Sequence, residues 1–177
     1  EADFLPALIV DKFEDILVIQ TLALGIDRFK DIIVEVLDEI IQPRGIYERN
    51  DVPVREVEGI PQVKGFLKGD FNPLVEIEEN GIKIIVDVEN GQKTGYFLDQ
   101  RENRMALKGI VDGAEVLDAF CYTGSFALHA LKYGAADVTA IDISSSSLEL
   151  ARKNAEINGL SEKIDFMEGN VFDILRD

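Results

Sequence analysis

One cysteine and one histidine occur in 177 residues, and each scarcity removes a class of chemistry. A lone Cys121 cannot close an internal disulfide, which fits a reducing compartment and sets the expectation of a cytoplasmic protein. With His129 as the sole imidazole, no cluster has ordinary zinc-ligand spacing, so no metal site is expected. Long apolar runs are missing as well: none approaches the roughly 20 residues of a membrane span. The first residues carry no charged-then-apolar signal pattern, and no membrane partner is expected. Basic charge is also short, with 18 Lys and Arg against 34 Asp and Glu, for a net charge of −16. Nucleic-acid binders draw much of their affinity from neutralising phosphates. Taken alone, the chain should repel RNA, so an RNA-directed role needs a local basic patch or a basic module elsewhere.

What is present describes a soluble globular protein. Hydrophobic residues make up 46% and charged residues 29% of the chain, enough apolar matter for a core in one large or two small domains. The first half reads as a small α+β domain. Two apolar runs, at 7–10 and 16–19, flank Lys12-Phe13-Glu14-Asp15 as a hairpin. Ile26, Phe29, Ile32, Ile33, Val36, Leu37, Ile40 and Ile41 then recur at helical spacing and predict an amphipathic helix closed by Pro43. Gly45-Ile46-Tyr47 suggests a short strand, and residues 49–73 read as a long connection. Alternating runs at 74–78 and 82–86 surround Asn80-Gly81, the strongest short hairpin signal, with packing as its expected role. A polar, glycine-bearing stretch at 91–104 then leads into a helix predicted over 100–109.

The most informative segment follows. Glu115-Val116-Leu117-Asp118 is a strand with an apolar centre ending in an acid; Ala119 to Gly124 is a tight turn; Gly124 opens a helix predicted to run to Tyr133. A second strand, 137–142, ends in Asp142. Ser146 and Glu149 have the spacing of a capping box for a helix stopping at Gly159. A third strand, 163–167, precedes Asn170 and another helical start. This is the layout of a nucleoside-binding βαβ unit: the turn receives the ligand at a helix N-terminus, and the second acid reaches the ribose hydroxyls. Phe120 and Tyr122 stand where a dinucleotide fingerprint has glycines, and only Gly124 remains. Bulky side chains argue against a pyrophosphate pressed onto the backbone. S-adenosylmethionine has the nucleoside without a phosphate, so it is the preferred cofactor over a nicotinamide or flavin. Asp118 is a partner for its ammonium group, Asp142 for its ribose, and the Asn170 amide for the adenine amino group. On its own, Asn170 also reads as a helix N-cap.

The two residues that invite a catalytic role have plainer readings. Cys121 sits between Phe120 and Tyr122, where a small apolar residue packs, rather than in the electropositive pocket of a reactive thiol. His129 lies among Leu128, Ala130 and Leu131 on a helix and reads as a packed residue. No catalytic residue is assigned to this chain.

Several motifs together resemble a known family. They are Ala2-Asp3-Phe4-Leu5-Pro6-Ala7-Leu8-Ile9-Val10-Asp11, Tyr47-Glu48-Arg49-Asn50-Asp51, Glu58-Gly59 and Glu79-Asn80-Gly81. The most specific are Gln92-Lys93-Thr94-Gly95-Tyr96-Phe97-Leu98-Asp99-Gln100-Arg101 and Asp118 through Phe126. Nearly the whole chain resembles the S-adenosylmethionine-dependent ribosomal RNA methyltransferases that carry an N-terminal PUA domain, of the large-subunit cytosine-5 type. The resemblance implies an α/β protein: a small α+β linking domain over 1–90, then over 91–177 the first half of a Rossmann-like class I methyltransferase sheet. It implies cofactor contacts from Lys93, Tyr96 and Arg101 at the methionine end, with Arg101 on the carboxylate. Asp118 and the turn of Tyr122, Thr123 and Gly124 would hold the amino-acid moiety, Asp142 the ribose and Asn170 the adenine, with Phe120, Ile143 and Val171 also among the cofactor-binding residues. Cytosine-5 transfer needs a thiolate that adds at carbon 6, and in such members that cysteine lies further downstream.

Three strands are half of a doubly wound sheet and leave the edge of the first strand unpaired. The expectation is a fragment, inactive alone, or an edge covered by another chain, a homodimer being one such arrangement. Ribosomal RNA would be met by parts of the protein outside this chain. Two other readings stay open: a methyltransferase of the same fold acting on another base or a small molecule, and a non-catalytic cofactor-binding or assembly module.

Overall fold

The computed structural model describes residues 4–176, so Ala2 and Asp3 of the opening motif lie outside the described residues. Two compact units divide the chain: one runs up to Glu76 and takes in Val86–Tyr96, the other holds Ile77–Ile85 and the chain from Phe97 onward.

The first unit is built on a four-stranded sheet in the order β1-β2-β3-β4. Strands β1 (Leu8–Phe13) and β2 (Ile16–Thr21) pair antiparallel with Phe13 opposite Ile16, so the turn is the dipeptide Glu14-Asp15 and not four residues. Glu14 takes a positive φ of 53°, which lets so short a turn close. The predicted single helix is two: α1 (Leu24–Asp27) and α2 (Lys30–Ile41), separated at Arg28-Phe29. Val34 and Leu37 of α2 pack on Leu17, Ile19 and Ile46, whereas Ile32, Val36 and Ile40 face outward. The apolar periodicity is therefore wider than the face that is buried. Gln42, in the left-handed conformation, ends α2 just before Pro43.

Strand β3 (Gly45–Asn50) is twice the predicted length and runs parallel to β2, buried throughout. The long connection foreseen after it is not there: α3 (Val54–Val57) and β4 (Val63–Lys68) occupy that stretch, with β4 antiparallel to β3. A register shift beside Tyr47 and a glycine in the middle of β4 hide this strand's alternation. Its neighbour Arg55 is buried, donating to the carbonyl of Thr21 and to Asp27 Oδ1 (2.9 Å). Arg49 of β3 donates to the carbonyls of Val88 (3.1 Å) and Gly91 (2.9 Å) within the same unit.

The Asn80-Gly81 hairpin forms as its sequence indicates, from β5 (Leu74–Glu79) and β6 (Ile82–Asp87) with alternating burial. Asn80 and Gly81 both have positive φ (51° and 75°), the backbone a two-residue primed turn demands. The division between units passes along this hairpin, its tip belonging to the second.

In the second unit the helix predicted over 100–109 is a 3-10 turn (Leu98–Gln100) followed by a short α4 (Arg101–Met105). Strands β7 (Glu115–Ala119), β8 (Asp137–Asp142) and β9 (Ile164–Glu168) form a parallel sheet in that order. Between them lie α5 (Ser125–Lys132) and α6 (Ser145–Ile157), with α7 (Val171–Ile174) after β9. The cap of α6 is Ser144, two residues before the predicted box: its hydroxyl accepts from Ser147 N–H (3.2 Å). Ser147 at the third helical position has no carboxylate to reach back, so this is a simple N-cap. Asn154 and Asn158, one turn apart on α6, fix the hairpin tip. Asn154 Oδ1 accepts from Ile85 N–H (2.7 Å), and Asn158 exchanges bonds with both backbone groups of Lys83. No described helix is long and apolar enough to cross a membrane.

Candidate functional site

Because β7, β8 and β9 are parallel and in register, their carboxyl ends meet along one edge of the sheet. Asp118, Asp142 and the segment after Glu168 are brought there together. The turn from Phe120 to Gly124 has an unusual backbone. Phe120, Tyr122 and Gly124 have φ of 62°, 51° and 75°. The bulky residues at the glycine positions therefore follow a glycine-type path and keep their side chains. A left-handed non-glycine residue costs about 1–3 kcal/mol and persists only where its surroundings dictate it.

Those surroundings can be named. Cys121 N–H donates to Ile141 O (2.9 Å), Tyr122 N–H to Asp142 Oδ2 (2.8 Å) and Gly124 N–H to Cys121 O (2.8 Å). Asn154 Nδ2 donates to Thr123 O (3.1 Å). At Gly124 a Cβ would lie 3.2 Å from Ala151 Cβ, so glycine serves both the turn and the approach of α6.

The two acids differ in their situation. Asp118 Oδ2 accepts from Ala127 N–H (2.9 Å) in the first turn of α5. Burial, with the nearby Asp142 charge adding to it and the Ala127 bond opposing it, pushes its pKa up to about 6. A carboxylate held up in this way gains from a cation placed beside it. Asp142 is buried and already engaged: Oδ2 takes Tyr122 N–H, and Oδ1 takes Ser144 N–H (2.9 Å). It ties the turn to the second strand, and its remaining lone pairs can still accept from hydroxyls.

Beside the turn lies a cleft of about 150 Å³ lined by Phe120, Ile143, Gly169, Asn170, Val171 and Phe172. Phe120, Ile143 and Phe172 are 60%, 71% and 64% exposed, and the two phenyl rings lie 5.8 Å apart. Large apolar side chains left open around a cleft mark a binding surface. This one suits a flat heteroaromatic ring. Asn170 caps α7, its Oδ1 accepting from Phe172 N–H (2.9 Å). With the oxygen so used, the amide offers its NH2 donor, which complements a ring nitrogen better than an amino group.

The other anticipated residues are less central. Thr123 is buried, its hydroxyl without a hydrogen-bond partner, so it does not face outward from the turn. Val171 is buried but contributes to the cleft wall. Arg101 is exposed at the start of α4. Lys93 and Tyr96 belong to the first unit, Lys93 exposed with φ 54° and Tyr96 buried. Sequence reasoning missed Phe172 as a cleft wall and Asn154 as a support of the turn. An aromatic two residues past Asn170 and a buried Asn mid-helix were the available signals.

Cys121 is buried, and burial, aided by the charges of Asp118 and Asp142, pushes its thiol far above the ordinary cysteine value. Such a group is not a thiolate at neutral pH. His129 is fully buried, and burial lowers its pKa, which keeps the ring neutral; its Nδ1 lies 2.7 Å from Ser125 O.

Residues 61–175 match the sequence pattern of the S-adenosylmethionine-dependent methyltransferases. The chain belongs to that family. Among curated relatives, the ribosomal RNA large subunit methyltransferase I of Shewanella amazonensis is 47% identical over 179 aligned positions. That alignment takes in 99% of this chain but 45% of the relative, so the chain spans about half the length of such methyltransferases. Among solved structures, a candidate S-adenosylmethionine-dependent methyltransferase from Streptococcus mutans superposes with a TM-score of 0.83 at 28% identity, covering 96% of this chain and 44% of that one. A candidate methyltransferase solved in complex with S-adenosylhomocysteine gives 0.82, again at 28% identity, covering 96% and 43%. The Asp118–Gly124 turn, Asp142 and the Phe120–Phe172 cleft all lie at the carboxyl ends of β7, β8 and β9.

Proposed function

We propose that this chain holds S-adenosylmethionine and that the protein to which it belongs methylates large-subunit ribosomal RNA, at carbon 5 of a cytosine. One observation carries the cofactor reading. A turn with glycine-type backbone and bulky side chains is clamped between an acid poised for a cation and an acid with acceptors to spare. When bound, the cofactor supplies an electrophilic methyl group on a sulfonium. Asp118 pairs with its ammonium, Asp142 accepts from its ribose hydroxyls, and the Phe120, Ile143 and Phe172 side chains form an apolar wall beside its adenine while the Asn170 NH2 donates to a ring nitrogen. Arg101 is the candidate for the carboxylate. The buried, protonated Cys121 takes no part, so the nucleophile for carbon 6 comes from elsewhere in the protein. The residues present fit the cofactor.

The name of the Shewanella relative supports the RNA reading, and the motif resemblance supports the cytosine-5 type and an associated PUA domain. The proposed domains are a linking domain over 1–90 and the first half of the methyltransferase domain over 91–177. The proposed partner is ribosomal RNA in the cytoplasm, met through parts outside this acidic chain. The open β7 edge also admits a homodimer, which sedimentation would decide.

The test is transfer of labelled methyl to large-subunit RNA with mapping of the modified base. The whole protein should label carbon 5 of one cytosine, and residues 1–177 alone should label nothing. Labelling of a different base, or transfer by residues 1–177, would contradict the proposal.

A further inference from the structure

The Glu79-Asn80-Gly81 motif is left unexplained by the cofactor reading, since a hairpin turn requires Asn-Gly but not a preceding glutamate. Glu79 is nevertheless buried, and it meets Arg104, itself 1% exposed. The pair is bidentate: Arg104 Nε donates to Glu79 Oε1 (2.6 Å) and Nη2 to Oε2 (2.9 Å). His129 Nε2 lies 3.6 Å from Oε1, and the guanidinium carbon sits 5.7 Å from the centre of the Phe126 ring, at the start of α5. A buried ion pair is rarely retained for stability, because its desolvation cost cancels much of its attraction. What it provides is a fixed geometry.

That geometry has a target. Arg104 Nη2 also donates to the carbonyl of Phe97 (2.9 Å). The Phe97 ring stands edge-on to the Tyr122 ring, with centroids 5.7 Å apart and planes at 79°. Tyr122 is the central left-handed residue of the turn. Its backbone N–H is held by Asp142 from one side, while its ring rests on Phe97. The same hairpin tip is bonded at Ile85 to Asn154, whose amide also holds Thr123 O.

We infer that the hairpin is a brace for the cofactor turn: Glu79, through Arg104, sets the position of Phe97, and Phe97 holds Tyr122 in its strained conformation. Glu79 and Arg104 are thus positioning residues, acting through Phe97 without touching the ligand. The inference rests on the proposed cofactor site.

The test is a double-mutant cycle read by calorimetric titration with S-adenosylhomocysteine, well below the melting temperature of every variant. Glu79→Gln and Phe97→Leu should each weaken binding by roughly fivefold to tenfold, and the double variant by no more than either alone, as expected of residues acting on one group. Arg104→Lys, which keeps the charge but loses the fork, should behave like Glu79→Gln. A purely structural pair would lower the melting temperature and leave affinity untouched, or give additive losses with Phe97→Leu; either result overturns the brace. Should Glu79→Gln fail to fold, Phe97→Leu alone decides, since unchanged affinity there removes the link to Tyr122. If the unsubstituted chain binds no S-adenosylhomocysteine, the cofactor site itself is wrong.

Discussion

Asp118→Asn should make the ligand-free protein more stable and a poorer binder at the same time. Asp118 is pushed up to about 6 from an ordinary 3.8, so the folded state holds its proton more tightly than the unfolded one. For such an acid, stability falls as pH rises between the two values, and the whole cost is present above the higher one. At about 1.36 kcal/mol per pKa unit, a shift of that size costs about 3 kcal/mol at neutral pH. Asparagine has no charge to desolvate, and its Oδ1 can still accept the Ala127 N–H that Asp118 Oδ2 now accepts at 2.9 Å. Urea denaturation at pH 7.5 should therefore favour the variant by up to about 3 kcal/mol, and by about half as much at pH 5. Affinity for S-adenosylhomocysteine should move the other way, dropping on the order of tenfold to a hundredfold with loss of the charge-assisted contact. In the unsubstituted protein, affinity should also fall as pH drops below about 6 and Asp118 takes up a proton. A variant no more stable than its parent would refute the buried-charge argument. A variant that binds as tightly would place the ammonium elsewhere.

Asp142→Ala should cost about 1–3 kcal/mol of cofactor affinity. Unlike a loss of ribose contacts alone, it should also lower stability, because Tyr122 N–H and Ser144 N–H lose their acceptor; titration and melting curves separate the two. Gly124→Ala meets both a φ of 75° and the nearby Ala151, and should destabilise by roughly 1–3 kcal/mol in urea. Cys121→Ala should leave S-adenosylhomocysteine affinity within about twofold, as a packed thiol predicts, and Cys121 should react with a thiol reagent only on unfolding. Rapid native labelling would show the thiol to be accessible.

The parts of the fold that were legible in sequence are those whose chemistry is local. Asn80-Gly81 announces its hairpin because few other dipeptides accept two positive φ values in succession. β8 is legible as an apolar run that ends in an acid. β4 was not legible: Val63-Lys64-Gly65-Phe66 has neither clean alternation nor high strand propensity, and it is a strand because β3 offers it an edge. Uninterrupted periodicity hides the α1–α2 break, and the glutamate three residues after Ser146 masks Ser144 as the cap. At the site, Asp118 and Asp142 were readable from their places at strand ends. The left-handed conformations of Phe120 and Tyr122 were not, because no propensity predicts them and they exist only under tertiary clamps. Phe172 and the Glu79–Arg104 pair depend on contacts between residues far apart in sequence, which no single-sequence pattern encodes.

The most direct measurement is calorimetric titration of the 177-residue chain with S-adenosylhomocysteine and, separately, with NAD. Saturable heat with the sulfur nucleoside and none with the dinucleotide is the predicted result. Heat with NAD alone would contradict the reading of the Phe120–Gly124 turn on which the rest depends.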